Sequence, residues 1–444
     1  MAGAMKTITS PEPSTAEETA RRSEPRTDPR PGPPADLAID FDRLQRDLEE
    51  LLRIGLDERD HGIYRMAFSD AFMEAHQWLR DKIAAAGLTA EVDGAYNVIC
   101  RLGEPGKPAV ATGSHLDSVP GGGNLDGGLG VLAGLECLRR FDELGVPLRR
   151  PVELCVFTDE EGRFGGMLGS QAMSGQLTPG DVLGAKDLAG VTLVEAMEAR
   201  GLDPMHALRA ARKPDALAAF VELHIEQGPV LHRGGLDLGV VEGISGLHKW
   251  NARLLGDANH AGTTPMSLRR DAFQGLAEIA GEIDRILEEN GSDRSVATIG
   301  RVELVPGAAN VVPSRVEFTL EFRDLDPDVL AEIGLGFRRA MSAVARRRGL
   351  RFEYEVLSEL EPIGCDRRIV SAIENAAGSL GARTLHMPSG AAHDTGMIAD
   401  IAPVGMIFVP SKDGVSHSAA EWTSWESIET GANCLLRTLY ALAS

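Results

Sequence analysis

The sequence predicts an α/β fold, a mainly parallel sheet with helices on both faces, carrying an inserted α+β unit of the split βαβ type. Three observations lead there. Short apolar runs alternate with helical patterns through most of the chain, the rhythm of a parallel sheet covered on both sides. Histidines and carboxylates follow the ends of those runs, where open α/β sheets bind ligands. Between Gly246 and about Leu357 the order becomes β-α-β-β-α-β, a self-contained unit.

Residues 1 to 36 are rich in Pro, Ser, Thr, Glu and Arg and bury too little apolar surface to offset ordering entropy, so a disordered tail is expected. A first catalytic part is expected over 37–245. It opens with Phe41, Leu44, Leu48, Leu51 and Leu52, spaced as one buried helical stripe. A second helix is expected from about Asp70 to Ala86, ending at Gly87. Strands follow at Leu88 to Val92, Asn97 to Leu102 and Ala109 to Gly113, then a helix from Leu129 to Phe141. Val152 to Phe157 and Phe220 to Leu223 read as further strands. The inserted unit, 246–357, is expected to hold a strand at Leu247 to Leu255 and a helix starting at Thr263-Thr264-Pro265. Strands at Val296 to Leu304 and Ser314 to Phe322, a helix from Asp326-Pro327 to about Arg348 and a strand at Arg351 to Val356 complete it. The second catalytic part, 358–444, supplies the apolar strand Val404 to Val409 and a closing helix from about Ser427.

Composition narrows the function. At 444 residues the chain can hold a large core without disulfides. A net charge of −21 argues against nucleic acid and anionic membranes as partners. The five cysteines are scattered, with no Cys-x-x-Cys pair, which suits a reducing cytoplasm and argues against a thiolate metal site. No apolar run reaches the ~18–20 residues that span a bilayer. Arg21-Arg22 has no apolar stretch behind it, so no signal peptide is expected.

The chemistry gathers at the strand ends. His115 and Asp126 follow one strand and Asp159-Glu160-Glu161 the next. His224 follows a third, and His417 the last. Imidazoles and carboxylates without thiolate suit Zn²⁺, and also Mn²⁺, Co²⁺ or Ni²⁺. The set is large enough for two ions bridged by Asp126, which together activate a water and polarise a carbonyl. Asp117 is placed to accept the other ring N–H of His115. Glu160 and Glu161 are adjacent, so their side chains diverge, and one can ligate while the other acts as general base. The glycine-rich stretch 121–128 lacks the spacing of a phosphate-binding loop.

The stretches Gly113-Ser114-His115-Leu116-Asp117-Ser118, Asp126-Gly127 and Thr158-Asp159-Glu160-Glu161-Gly162 resemble the zinc aminoacylase and carboxypeptidase clan, with its dinuclear zinc exopeptidase-like fold. Glu222-Leu223-His224-Ile225-Glu226-Gln227-Gly228-Pro229, His260-Ala261-Gly262-Thr263-Thr264-Pro265 and Ser416-His417-Ser418 are similar to one branch of it, the hydantoinase/carbamoylase amidases. That branch includes N-carbamoyl-L-amino-acid hydrolases, β-ureidopropionase-type enzymes and allantoate amidohydrolases. The resemblance implies that His115 and His224 hold one ion, Glu161 and His417 the other, and Asp126 both, with Glu160 as general base. It implies substrate-side roles for Gln227, His260, Asn310, Arg323 and Gly390, with His260 also stabilising an oxyanion, sometimes from a partner subunit. An Arg323 fork matches a carboxylate. The implied activity is hydrolysis of the carbamoyl C–N bond of an N-carbamoyl amino acid or a related ureido acid, in a cytoplasmic homodimer joined through the inserted unit. An aminoacylase or dipeptidase on the same scaffold is the alternative. Ala392, where the branch often has glycine, and Gly246-Leu247-His248-Lys249-Trp250 depart from its pattern near the substrate.

Overall fold

The structure is a computed structural model that describes residue 34 and residues 36–444. The tail expected over residues 1 to 36 lies, apart from Pro34 and Asp36, outside the described residues. In chain order the strands are β1 (Ala90–Val92), β2 (Val98–Leu102), β3 (Ala109–His115), β4 (Val152–Phe157), β5 (Leu217–Ile225), β6 (Leu238–Ile244) and β7 (Gly246–Leu255). They continue as β8 (Val296–Val305), β9 (Arg315–Asp324), β10 (Arg351–Leu360), β11 (Ile363–Gly364), β12 (Thr384–Ser389) and β13 (Val404–Val409).

Nine strands form one sheet in the order β1-β2-β4-β3-β5-β13-β6-β11, with β12 also on β6. The central four, β4-β3-β5-β13, are parallel, so their carboxyl ends leave the sheet along one edge. β2 and β6 flank them antiparallel. β3, β4 and β13 are buried at every position, as continuous apolar strands covered on both faces must be. Alternation divides their side chains. Val110, Leu154, Val221 and Ile407 pack with the helices Gly128–Glu143, Arg367–Ser379 and Trp425–Ala443. Ala111, Cys155, Phe220 and Val404 face the opposite layer, with Met173 and Ile398. The sequence reading omits β6, because Gly239 and Gly243 interrupt its apolar run; partners on both sides make the strand.

Residues Gly246 to Leu360 build a separate antiparallel sheet in the order β10-β7-β9-β8. Buried residues alternate along β9, and Phe318, Leu320 and Phe322 pack with Leu276, Ile279, Ile333 and Phe337 of the covering helices. The first of these helices starts at Ala272 rather than near Thr263. Asp271 accepts the N–H groups of Phe273 and Gln274 at 3.0 and 3.2 Å, a cap that the earlier threonines do not supply. Asp326 caps the helix Pro327–Arg348, which stops at Gly349 in the left-handed region. No helix among the described residues is long and apolar enough to cross a membrane.

One buried residue ties this packing to pH. His76 is fully buried between Phe72 and Tyr96, with ring centroids 4.1 and 5.1 Å away, and neither ring nitrogen has a partner. Burial, then Arg80 and Arg65, pushes its pKa down from 6.5 to about 3. The unfolded chain therefore takes up a proton that the folded chain refuses over that window. His76's contribution is complete above the unfolded value and falls as pH drops toward 3. Between pH 7 and 5 the loss is about 2 kcal/mol. In His76→Phe that loss should disappear, as read from urea unfolding at the two pH values; an unaltered pH dependence would refute a neutral, buried His76.

Candidate metal centre

The parallel edge gathers its polar residues as follows. β3 ends on His115, and β5 carries His224 in register with Phe408 of β13. Beyond β4, Glu160 and Glu161 follow the turn at Asp159. Loops after β3 and β13 bring in Asp126 and His417. The Asp126 Oδ1 lies 3.6 Å from His115 Nε2 and 3.1 Å from His224 Nε2. Its Oδ2 lies 3.4 Å from His417 Nε2, which is also 3.4 Å from Glu161 Oε2. Two triads result, His115–Asp126–His224 and Asp126–Glu161–His417, each with donor atoms within 4.8 Å of one another.

The ring tautomers are set from outside the site. The Nδ1–H of His115 donates to the Asp117 carbonyl at 3.0 Å, and that of His224 to the Ile225 carbonyl at 2.9 Å. Each leaves an Nε2 lone pair facing inward. The Gly127 N–H donates to His224 Nε2 at 3.3 Å, consistent with that assignment. Gly127 is required here: its φ is +67°, and a Cβ would lie 2.5 Å from the His115 ring. Asp117 departs from expectation. Its carboxylate is 3.9 Å from His115 Nδ1, because it instead accepts the N–H groups of Glu160 and Glu161 at 3.4 and 3.0 Å. The backbone carbonyl takes the role expected of the side chain.

The substrate-side candidates divide into groups. Gln227 is at the cluster, donating from Nε2 to Asp126 Oδ2 at 2.8 Å. Arg323 on β9 donates to Glu321 through Nε and Nη2 at 3.0 and 2.6 Å, and through Nη1 to the Gly390 carbonyl after β12. Those two residues are thus brought together. His260 and Asn310 lie on adjacent segments, the Ala261 N–H donating to the Asn310 carbonyl at 2.8 Å and His260 bridging to Val311, but both are exposed. Among the described residues, neither forms a hydrogen bond or ion pair with the triads. Sequence reading missed Arg65 and Glu421. Arg65 is fully buried, donating to the carbonyls of Leu116, Leu51 and Ile54 at 2.6, 3.2 and 3.0 Å and to Asn124 Oδ1 at 3.3 Å. Glu421 accepts the N–H groups of Leu125 and Asp126. Neither carries a local sequence signal, since most of their partners are backbone carbonyl or N–H groups.

Charge is unbalanced at the cluster. Burial raises Glu160 well above the usual carboxylate range although His115 opposes it, and burial with Asp126 lifts Glu161 to about 7. Burial and then Asp117 push Asp159 up to about 8. Burial also works against the Asp126 carboxylate, yet His224, His115 and His417 hold it well below its ordinary value. Crowded buried acids with inward lone pairs and no thiolate form a donor set that fits divalent cations.

A cluster of histidines and carboxylates gathered on Asp126 at the carboxyl edge of a parallel sheet fits a metal-dependent hydrolase. The chain belongs to peptidase family M20/M25/M40, whose profile matches residues 111–441. It is 43% identical over 410 residues to an N-carbamoyl-L-amino acid amidohydrolase of Geobacillus stearothermophilus, covering 91% of this chain and 99% of that one. It is 35% identical over 391 residues to an allantoate amidohydrolase of Escherichia coli (strain K12), covering 86% and 93%. A solved hydantoinase/carbamoylase family amidase from Burkholderia multivorans matches with a TM-score of 0.85 at 34% identity, covering 92% and 98%.

The Arg65 geometry makes a stability prediction. Arg65→Met leaves the buried Leu116 and Ile54 carbonyls without their donor, while the Leu51 carbonyl keeps the Ile54 N–H at 3.0 Å, and a loss of about 2 kcal/mol or more is expected in urea unfolding. A change within about 0.5 kcal/mol would mean that those carbonyls have other partners.

Proposed function

We propose that this protein is a dinuclear amidohydrolase that cleaves the carbamoyl C–N bond of an N-carbamoyl amino acid, or of a related ureido acid such as allantoate. The observation that carries the reading is the Asp126 carboxylate, whose two oxygens face two different histidine sets. The names of the similar amidohydrolases supply the substrate class. His115 and His224 would hold one ion, Glu161 and His417 the other, and Asp126 both; Zn²⁺ suits the donors best, with Mn²⁺, Co²⁺ and Ni²⁺ also compatible. When bound, such ions acidify water and polarise a carbonyl oxygen.

The chain's own groups do the rest. Glu160, its Oε2 3.5 Å from His115 Nε2, takes a proton from the attacking water and returns it to the leaving nitrogen. Asp117 holds the Glu160–Glu161 backbone, and so aims the base and the ligand together. Arg323 receives the substrate carboxylate, with Asn310 orienting it and the Gly390 carbonyl fixing the guanidinium. Gln227 lies beside the bridging carboxylate, at the carbamoyl end. Hydrolysis of R–NH–CO–NH₂ with one water yields R–NH₂, CO₂ and ammonia; from allantoate the amine product is itself a ureido acid.

His260 stabilises the developing oxyanion once the 246–357 unit closes, or once a second subunit supplies it. Two features support a homodimer through that unit: β8 is an edge strand, and it exposes Val296 at 55% and Val302 at 47%. Cytoplasmic residence accords with the unpaired cysteines.

Metal-reconstituted protein should release ammonia and free amino acid in equal amounts from an N-carbamoyl-L-amino acid, or ammonia from allantoate. Cleavage of N-acyl amino acids with no ammonia from any ureido acid would sink the reading. Glu160→Gln should lower turnover by roughly 10²–10⁴-fold while keeping two ions per chain; full turnover would remove Glu160 from the role. Arg323→Ala should reduce kcat/KM by on the order of 10–100-fold for the acid and leave its carboxamide analogue unaffected. Equal losses on both would place Arg323 outside carboxylate recognition.

A further inference from the structure

Three of the donors, His115, His224 and Glu161, lie on or close beside the sheet edge. The other two reach the cluster from loops. His417 is the weaker-held of these, its side chain half exposed and its backbone at φ +54°. Something other than the sheet must set it against Asp126.

Glu421 does so from a buried position. Its Oε1 accepts the N–H groups of Leu125 at 2.9 Å and Asp126 at 3.0 Å. Its Oε2 lies 3.2 Å from the Ser416 hydroxyl, and that hydroxyl also lies 2.9 Å from Asp126 Oδ2. The Glu421 N–H donates to the Ser418 carbonyl at 3.0 Å, closing a turn that begins directly after His417. A closed ring follows: Asp126 is gripped by its backbone through Glu421 and by its carboxylate through Ser416, with His417 on the loop between. The space for it is reserved, since a Cβ on Gly123 would lie 2.2 Å from Glu421 Oε1 and 2.3 Å from its Cδ.

We infer that Glu421 is the positioning residue of the Asp126–Glu161–His417 set, fixing the bridging carboxylate and the His417 loop so that the second of two ions can bind. This rests on the two-metal reading above. The His115–His224 set depends on it less, because both rings are carried by strands and anchored through Nδ1. What Glu421 supplies is a pair of accepted N–H bonds, which a glutamine carbonyl can also accept.

The test is titration of the chelator-stripped full chain with Zn²⁺ by calorimetry, and with Co²⁺ by visible absorption. Wild type should take two ions per chain. Glu421→Ala should keep one near wild-type affinity and bind the second roughly 10- to 100-fold more weakly, whereas Glu421→Gln should keep both. Gly123→Ala, which retains the glutamate but displaces it, should reproduce the loss. The double variant Gly123→Ala/Glu421→Ala should be no worse than either single one, because both break one interaction. Circular dichroism identifies any variant that does not fold, and either of the two loss variants suffices alone. Full two-ion affinity in a folded loss variant, equal weakening of both ions, or additive losses would overturn the inference. A wild type that binds fewer than two ions would instead overturn the two-metal reading, before any variant is compared.

Discussion

The site depends on one buried carboxylate whose two oxygens face different ways. Asp126 is 5% exposed, and burial alone would favour its neutral form. Three imidazoles reverse that preference, two on one oxygen and one on the other. A carboxylate held in this manner cannot turn without losing a partner on each side. The surrounding loops accordingly grip it from several directions: Gln227 and Ser416 on Oδ2, and Glu421 on the backbone. The density of these contacts explains why a loop residue, rather than a strand residue, can serve as the centre of the cluster.

Much of this was legible in the sequence because parallel strands make the address of a strand end predictable. Once Ala109–His115, Val152–Phe157, Leu217–Ile225 and Val404–Val409 are read as neighbours, the polar residues at and beyond their ends must converge. What is not legible is which atom of a residue acts. Asp117 occupies the expected position beside His115, but its carbonyl meets the ring while its carboxylate goes to a different loop. Arg65 and Glu421 escape for a related reason: they bind peptide groups, and a peptide group has no residue identity to read. Strand β6 escaped because its glycines hide it from a hydrophobic pattern, although its place between β13 and β12 is well defined.

The second sheet meets the strand-end loops through a narrow connection, and enters the proposed chemistry there. Arg323 reaches the Gly390 carbonyl but spends two of its N–H groups on Glu321, which Lys249 also approaches at 2.9 Å. A guanidinium held by one carboxylate and one carbonyl is preorganised in plane, yet it keeps donors free for an incoming anion. Glu321 therefore does more than balance charge. It limits the orientations of the fork, so that the carboxylate binding proposed for Arg323 would freeze fewer rotamers than on a free arginine.

Part of this order is visible in the backbone. Asp159, Gln227 and His417 are non-glycine residues at φ +57°, +57° and +54°, a region that L-residues occupy at a cost. Asp159 and Gln227 lie directly beyond β4 and β5 and His417 in the loop that follows β13, each next to or at a proposed functional residue. At Asp159 the chain must turn sharply off β4 so that Glu160 and Glu161, adjacent in sequence, present their side chains to different neighbours: Glu160 to His115, Glu161 to His417. The Phe164 N–H, 3.0 Å from the Asp159 carboxylate, closes that turn. At Gln227 the N–H donates to Ser411 at 3.0 Å, holding the loop after β5 against the loop after β13. Strained turns held by specific hydrogen bonds thus help the segments beyond β4, β5 and β13 to converge with His115 of β3 on one carboxylate.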